Sequence, residues 1–244
     1  MRRPRIYTEQ ALRAQARIQL EPAASRHVAR VLRKSVGDQL VLFNGGGGQY
    51  QATISEVDRR SVVITTGDFV DVEAESKLRI YLGIALSRGE RMDWIVQKAT
   101  ELGVHSIAPL LRERIGVRLG EERQDKKLRH WQQVAISACE QCGRNRLPEI
   151  ASLQPLEQWV RQVRADVRLV LHHRAGPADR SSGTPESAAL LVGPEGGLSP
   201  AEIEIAGQAG FSPLQLGPRI LRTETAPLAA VAILQARWGD MAAG

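Results

Sequence analysis

The chain has 244 residues, of which 43% are hydrophobic and 25% are charged, so it suits one large globular domain or two modest ones. Its net charge is +6 and its pI is about 9.8, and this basic balance favours a polyanionic partner because binding phosphates releases their counterions. No apolar run approaches the roughly 20 residues of a membrane span, and the basic N-terminus lacks the apolar segment of a signal peptide. We therefore expect a cytoplasmic protein whose two cysteines stay reduced.

The first part of the chain, residues 1–72, has the pattern of a small β-barrel. Gln39–Phe43 and Gln49–Val57 are predicted strands, and the Asn-Gly step and the glycine run between them indicate a hairpin. A further strand is predicted over Ser61–Thr66, which is rich in β-branched residues.

Basic residues cluster around a short helical pattern at His27–Leu32 and at the N-terminus. The candidates for RNA contacts in this part of the chain are Arg2, Arg5, Arg30 and Arg33. A solvated charged face and a frayed terminus explain the same residues without any ligand.

The polar segment Asp71–Lys77 separates this part from a second domain, residues 73–244. From Leu78 onward strand and helix patterns alternate, which predicts a parallel sheet with crossover helices. The predicted strands are Leu78–Leu86, Ser106–Leu111, Val167–Leu171, Ala188–Val192 and Pro213–Leu216. The predicted helices are Arg91–Leu102, Lys127–Cys142, one that begins at Pro200, and Thr223–Trp238. A flexible loop is predicted over Ala175–Glu186.

Two loops rich in glycine and proline follow the last two predicted strands: Gly193–Gly197 and Leu216–Arg219. Ser199 and Glu202 form the pattern of a capping box, with Pro200 at the first helical position. Because the carboxyl ends of parallel strands bind ligands in open α/β sheets, and glycine lets a ligand approach the main chain, these loops are a candidate binding site. They match neither of the common phosphate-binding fingerprints, and the alternative is that both are tight turns.

Several polar clusters have both a functional and a structural explanation. The pair Cys139 and Cys142 has the spacing of a metal or redox motif. However, no second such pair exists and the pair lies at a helix end, so packing explains it better. Arginines and amides at a helix end can hold a phosphate or a base edge, or they can simply be solvated; this group comprises Glu140, Gln141, Arg144, Asn145 and Arg146. The same two explanations apply to Ser87, Arg88, Glu90 and Arg91 after the first strand of the second domain. His172 and His173 follow the third strand at the same sheet edge as the two glycine loops, so they are candidates for a ligand pocket. Arg219, Arg222 and Glu224 flank the second glycine loop, where they either serve the site or form an inert exposed pair.

Three long motifs carry a resemblance to a known family. They are GPEGGLS followed by LGPRILRTETA, SRGERMDWIVQKATELGV at Ser87–Val104, and ACEQCGRNRLPEI at Ala138–Ile150. In this order they resemble the RsmE family of small-subunit rRNA uridine N3-methyltransferases, a branch of the SPOUT superfamily. The resemblance implies an α/β fold: a SPOUT-type α/β trefoil-knot domain preceded by a small PUA-like β-barrel domain that helps to bind RNA. It also implies a homodimer.

The resemblance further implies S-adenosylmethionine as the cofactor, small-subunit rRNA as the partner, and no metal. The residues implied to line the cofactor are Leu171, His172, Gly193, Pro194, Glu195, Gly196, Gly197, Leu216, Gly217, Arg219, Ile220 and Leu221. Arg222 is the first candidate for stabilising charge in catalysis, and Glu224, Glu140 and Asn145 are candidates for contacts to the acceptor base. The candidate RNA contacts are Arg2, Arg5, Arg30, Arg33, Arg88, Arg144 and Arg146.

Two other classes of function remain open at this stage. A non-catalytic RNA-binding or ribosome-assembly protein would bind RNA in a salt-dependent way without a cofactor. A SPOUT methyltransferase that acts on another RNA position would share the knot and the cofactor. The sequence fixes neither the target nucleotide nor the group that accepts the N3 proton.

Overall fold

The computed structural model describes residues 3–59, 61–87, 90–111, 120–172 and 183–241, which form two compact units. The first unit runs to Glu75 and also contains Ile136–Leu147; the second contains Ser76–Ala135 and the chain from Pro148. The predicted boundary after residue 72 lies close to the end of the first segment. The return of Ile136–Leu147 to the first unit was not predicted, because it depends on contacts between residues far apart in the sequence.

The first unit is built on a five-stranded sheet with the order β1-β3-β4-β5-β2. Its strands are β1 (Arg5–Tyr7), β2 (Arg17–Gln19), β3 (Gln39–Phe43), β4 (Gln49–Val57) and β5 (Val62–Val70). The β1–β3 pair is parallel and the other pairs are antiparallel. Helix α1 (Pro22–Arg26) continues as a π-helical turn over His27–Val31, which agrees with the helix predicted there.

Alternation along β4 and β5 explains the core of this unit. Ala52, Ile54, Val62 and Ile64 point to one side and are almost fully buried, as the period of two in a strand requires. The loop between β3 and β4 depends on glycine at Gly48. Its φ is +62°, and a Cβ there would lie 2.2 Å from the ring of Phe69.

The second unit contains a seven-stranded parallel sheet with the order β12-β10-β11-β6-β7-β8, and with β9 paired to β7. The strands are β6 (Arg79–Ala85), β7 (Ser106–Leu111), β8 (Glu149–Ile150), β9 (Gln154–Pro155), β10 (Val167–Leu171), β11 (Ser187–Val192) and β12 (Ser212–Leu214). The helices are α2 (Arg91–Glu101), α3 (Glu121–Cys142), α4 (Leu156–Gln162), α5 (Pro200–Gln208) and α6 (Thr225–Trp238). The predicted parallel sheet is therefore confirmed.

Strand β11 lies inside this sheet and is buried on both faces, which is why its sequence is continuously apolar. Ala188, Leu190 and Val192 pack into a cluster that includes residues of α2, α3 and α6. The alternate residues Ala189 and Leu191 pack into a second cluster with residues of α4 and α5. The sheet thus carries helices on both faces, and its carboxyl edge is left for loops.

Three further predictions concern a membrane span, the trefoil knot and the loop at Ala175–Glu186. No helix within the described residues is long and apolar enough to cross a bilayer. The trefoil knot that the resemblance implies stays a prediction. Most of the predicted loop at Ala175–Glu186 lies outside the described residues.

Candidate functional site

A pocket of about 330 Å³ lies at the carboxyl ends of β10, β11 and β12 in the second unit. All twelve residues predicted to line a cofactor are found around it: Leu171, His172, Gly193, Pro194, Glu195, Gly196, Gly197, Leu216, Gly217, Arg219, Ile220 and Leu221. The lining also includes Val192, Leu198, Leu214, Thr223 and Ala226, which were not predicted. The end of β10 and the two glycine loops, which are distant in the sequence, therefore line one cavity.

Strand pairing brings these loops together. Strand β10 pairs with both β11 and β12, and the backbone N–H of His172 extends the second pairing by donating to the carbonyl of Leu214 at 3.1 Å. The three strands therefore end at the same edge, and the chain leaves each of them into the pocket wall. The position of the site follows from the parallel topology.

The first glycine loop, Gly193–Gly197, is a tight turn fixed by local bonds. The N–H of Gly197 donates to the carbonyl of Pro194 at 2.8 Å, and Gly197 has a φ of +70° that disfavours other residues. Helix α5 then starts with the predicted capping box. The Ser199 hydroxyl accepts from the N–H of Glu202 at 3.2 Å, and the Glu202 carboxylate accepts from the N–H of Ser199 at 2.7 Å.

The pocket fits the cofactor that the resemblance implies. A Cβ at Gly196, Gly197 or Gly217 would meet no other atom within 4 Å, so the main chain at all three positions faces open space. The leucines at 171, 214 and 216 supply apolar walls of the kind that hold a flat aromatic ring. A volume of about 330 Å³ lies within the usual range of small-molecule pockets.

A cluster of charged side chains lies beside the two glycine loops. Arg91, the first residue of α2, donates from Nη1 to the carboxylate of Glu195 in the first loop. Its Nε lies 3.8 Å from Oε2 of Glu224, the residue before α6. The sequence pointed to charged residues after β6 but not to this contact, because the partners are more than a hundred residues away.

The candidate catalytic residues fall into two groups. Arg222 is exposed and lies between Leu221 and Thr223, which both line the pocket. Its carbonyl accepts from the N–H groups of Thr225 and Ala226 at 2.9 Å each and so starts α6. Arg222 and Glu224 are therefore next to the pocket in sequence and in space, although neither lines the described cavity.

Glu140 and Asn145 belong to the first unit, whereas all described lining residues of the pocket belong to the second. The Glu140 carboxylate accepts from the N–H of Tyr7 at 3.0 Å, and burial raises the pKa of Glu140. The Asn145 side chain accepts from Arg5 at 2.6 Å and donates to the carbonyl of Val72 at 2.6 Å. These bonds give both residues a structural role.

Arg144 has a structural explanation of the same kind. It is only 3% exposed, and its guanidinium donates to both oxygens of Glu75, at 2.9 Å from Nε and at 2.7 Å from Nη2. Arg146 is more exposed and lies 3.3 Å from a carboxylate oxygen of Glu73. The arginine side chains at the end of α3 thus pair with carboxylates within the first unit.

The remaining arginines predicted to contact RNA differ in their exposure and in the bonds that they already make. Arg30 and Arg33 are exposed. Arg5 donates to Gln49 and to the carbonyl of Arg144, and its guanidinium lies 4.7 Å from the ring centroid of Phe43. Arg2, Arg88 and His173 lie outside the described residues.

The two cysteines form no disulfide. Cys139 is buried and donates from Sγ to the carbonyl of Arg146 at 3.6 Å. Its hydrogen bond with Cys142, followed by burial, raises the pKa of the Cys139 thiol. No group of three or more His, Cys, Asp or Glu side chains in the described part of the chain is placed to hold a metal. The packing explanation of the pair is consistent with these contacts.

Comparison with known proteins defines the class. Residues 74–235 match the model of the RNA methyltransferase domain, and residues 20–66 match that of the RNA methyltransferase PUA domain. A parallel sheet with a ligand pocket at its carboxyl edge, preceded by such a β-domain, is the arrangement of an RNA methyltransferase. The predicted fold class is confirmed at this level.

Individual relatives narrow the class to one family. Ribosomal RNA small subunit methyltransferase E of Buchnera aphidicola (subspecies Schizaphis graminum) is 35% identical over 241 residues, which cover 98% of each chain. The crystal structure of the enzyme of that name from Neisseria gonorrhoeae, bound to S-adenosyl methionine, has a TM-score of 0.90 at 36% identity and covers 98% of this chain and 99% of that one. A Legionella pneumophila protein solved with bound SAM has a TM-score of 0.93 at 42% identity over 98% of this chain and 100% of that one. The chain belongs to the ribosomal RNA small subunit methyltransferase E family.

Proposed function

We propose that this protein transfers a methyl group from S-adenosylmethionine to N3 of a uridine in small-subunit rRNA. The observation that carries the proposal is the pocket itself, where all twelve residues expected to hold the cofactor surround one cavity at the carboxyl edge of the sheet. The bound SAM of two relatives supports the same cofactor here. The uridine N3 position is consistent with the family name.

The pocket residues would hold the cofactor in two ways. The apolar side chains of Leu171, Leu214 and Leu216 offer surface for an adenine ring, and the main chain of the glycine loops offers donors and acceptors for its polar edge and for the ribose. When bound, S-adenosylmethionine supplies an electrophilic methyl group on a sulfonium. Holding donor and acceptor in line supplies a large part of the rate of such a transfer.

The chain must also deal with the proton on N3. The neutral imide nitrogen is a poor nucleophile, so its proton has to leave as the new carbon–nitrogen bond forms. In our proposal the Glu224 carboxylate accepts this proton, and the Arg222 guanidinium stabilises the negative charge that spreads onto the uracil oxygens. We assign Glu140 and Asn145 a structural role, because the Glu140 carboxylate and the Asn145 side-chain amide form hydrogen bonds within the first unit.

The RNA contacts follow from exposure and charge. We assign residues 1–72 to RNA binding, with the exposed Arg30 and Arg33 on phosphates. The target uridine has to be unpaired or splayed out to reach the pocket. We further propose that the substrate is rRNA in an assembled or assembling small subunit, and that the protein acts in the cytoplasm as a homodimer.

The test is methyl transfer from radiolabelled S-adenosylmethionine to unmodified small-subunit rRNA and to small subunits that contain it. We expect one methyl group per RNA, released as 3-methyluridine on digestion, and a stop of reverse transcription there because N3 methylation blocks base pairing. Glu224→Gln should lower kcat by about 100-fold, a much larger effect than the few-fold rise in the Kd for the cofactor that we expect from losing its contact with Arg91. Arg161→Met, at an exposed residue of α4, serves as the control.

Two results would count against the proposal. A methyl group on another atom would favour a methyltransferase with a different target. Salt-dependent RNA binding with no methyl transfer on either substrate would favour the non-catalytic RNA-binding protein.

A further inference from the structure

One arginine outside the pocket lining contacts both the first glycine loop and the residue that precedes α6, which are two segments next to the pocket. Arg91 donates to Glu195, which lies in the Gly193–Gly197 loop, and its Nε is 3.8 Å from a carboxylate oxygen of Glu224, which follows the second glycine loop. We propose that Arg91 is a positioning residue that holds the first glycine loop and the start of α6, which follows the second glycine loop, at the spacing the cofactor requires. This inference rests on the proposed binding of S-adenosylmethionine in this pocket.

The helix that carries Arg91 is a rigid base. Met92, Ile95 and Val96 of α2 are at most 1% exposed and belong to the main core cluster of the unit. The first loop is held by a local bond between Pro194 and Gly197, and glycine-rich backbone has large conformational freedom. A guanidinium carried by this packed helix can therefore restrict the positions of Glu195 and Glu224 at once.

Helix stability does not explain a cation at this position. The N-terminus of a helix carries partial positive charge and favours acidic side chains, and Asp93 is the acidic residue in the first turn of α2. Arg91 is the first residue of that helix. The favourable partners of this charge are the carboxylates of Glu195 and Glu224.

Arginine suits this role better than lysine. Its planar fork presents five N–H donors, so one side chain can reach two carboxylates from different nitrogens, as it does here with Nη1 and Nε. Lysine would keep the charge but concentrate it at one point. Loops that are ordered before binding lose less conformational entropy when the ligand arrives, so the apparent affinity rises with the fraction of protein in the competent conformation.

The experiment is a calorimetric titration of S-adenosylmethionine into the full chain and its variants. Arg91→Met should raise the Kd by about fivefold to tenfold, since each half-exposed ion pair contributes a few-fold. Glu195→Gln should raise it by about threefold. The Arg91→Met/Glu195→Gln double variant should bind no more weakly than Arg91→Met, because interacting residues are not additive.

Controls separate positioning from general destabilisation. Arg161→Met breaks an ion pair of α4 at 2.7 Å that is even more exposed, and it should leave the Kd unchanged. Arg91→Lys should recover only part of the loss. In about 1 M salt the wild type should approach Arg91→Met, because screening weakens exposed ion pairs; a loss of packing alone would not depend on salt in this way.

The possible outcomes distinguish this inference from the proposed function. A folded Arg91→Met variant with the wild-type Kd overturns the positioning role, and so does a double variant whose effects simply add. If Arg91→Met does not fold, Glu195→Gln and the salt dependence of the wild type still test the contact. Failure of the wild type itself to bind S-adenosylmethionine would instead overturn the proposed function, and this inference with it.

Discussion

The buried ion pair between Arg144 and Glu75 gives the sharpest prediction about stability. Both carboxylate oxygens of Glu75 accept from the guanidinium, at 2.9 and 2.7 Å, and the Arg144 side chain is 4% exposed against 23% for Glu75. Removing one partner of a buried pair costs about 3–5 kcal/mol, because the other charge stays buried without its counter-charge. Since water reaches Glu75, we expect the lower end, about 3 kcal/mol, for Glu75→Ala.

The loss should appear as a shift in urea unfolding. About 3 kcal/mol divided by an m-value of about 1–3 kcal/mol per molar moves the midpoint down by about 1–3 M. Far-UV circular dichroism follows both units, whereas all four tryptophans, at 94, 131, 159 and 238, belong to the second unit. Tryptophan fluorescence therefore provides a separate record of the second unit in the same samples.

Matched variants test whether burial of the Arg144–Glu75 pair causes this loss of stability. Glu157→Ala breaks a pair with the same 2.7 Å contact but with both partners more than half exposed, and it should cost less than about 1 kcal/mol. Replacing both buried partners, as in Glu75→Leu/Arg144→Met, should recover most of the stability. A loss below about 1 kcal/mol in Glu75→Ala, or a double variant no better than the single one, would refute this reasoning. Wild-type RNA affinity in the double variant would show that Arg144 is structural.

Three further predictions concern pH, packing and capping. Burial raises the pKa of Glu140 in the folded state. The contribution of Glu140 to the free energy of unfolding is therefore fully present below the ordinary glutamate pKa, and it is lost as the pH rises through the pKa of the folded state. Glu140→Gln should therefore gain stability over the wild type as the pH rises above the ordinary glutamate pKa of about 4.3, and parallel pH profiles would contradict this. Gly83→Ala would place a Cβ 2.5 Å from the Trp159 ring, so we expect a loss of about 1–3 kcal/mol in chemical denaturation with a change in tryptophan fluorescence; an unchanged midpoint would argue against the contact. Ser199→Ala should cost about 1 kcal/mol in thermal unfolding while Ser199→Asp retains the cap, and equal losses would exclude the capping role.

The sequence predicted the elements whose patterns are local and regular. The bounds of β3, β4, β7 and β10 agree with the predicted strands, because alternation or a short apolar run marks both ends of each. Strand β11 was recognised from its continuous apolar run, which burial on both faces requires. The capping box at Ser199 fixed the start of α5 in the same way.

Short elements were missed because they contain too few residues to show a period. Strand β1 has three residues, and its register is set by parallel pairing of Arg5 with Val41, far along the chain. Strand β2 and the seven-residue helix α4 were missed for the same reason. Such elements depend on tertiary contacts more than on their own propensity.

The candidate site likewise contains residues that local sequence patterns predict and long-range contacts that they do not predict. The pocket residues could be predicted because the motifs place them at strand ends that the parallel topology brings together. The contact of Arg91 with Glu195 spans 104 positions and could not be predicted from local pattern. Arg144 and Asn145 have the composition of a solvated helix end, but partners 69 and 73 positions away, Glu75 and Val72, account for their burial.

The most direct test of the central claim is a calorimetric titration of S-adenosylmethionine into the wild type, Gly196→Trp and Gly207→Trp. Gly196 faces open space in the pocket and its φ lies outside the left-handed region, so the backbone tolerates tryptophan while the side chain fills the cavity. Gly207 is an exposed position of α5 with equal room, and it controls for the substitution itself. We predict binding of one ligand per chain in the wild type and in Gly207→Trp, and its loss in Gly196→Trp. Equal binding by all three proteins would contradict the pocket, and binding by none would contradict the methyltransferase function.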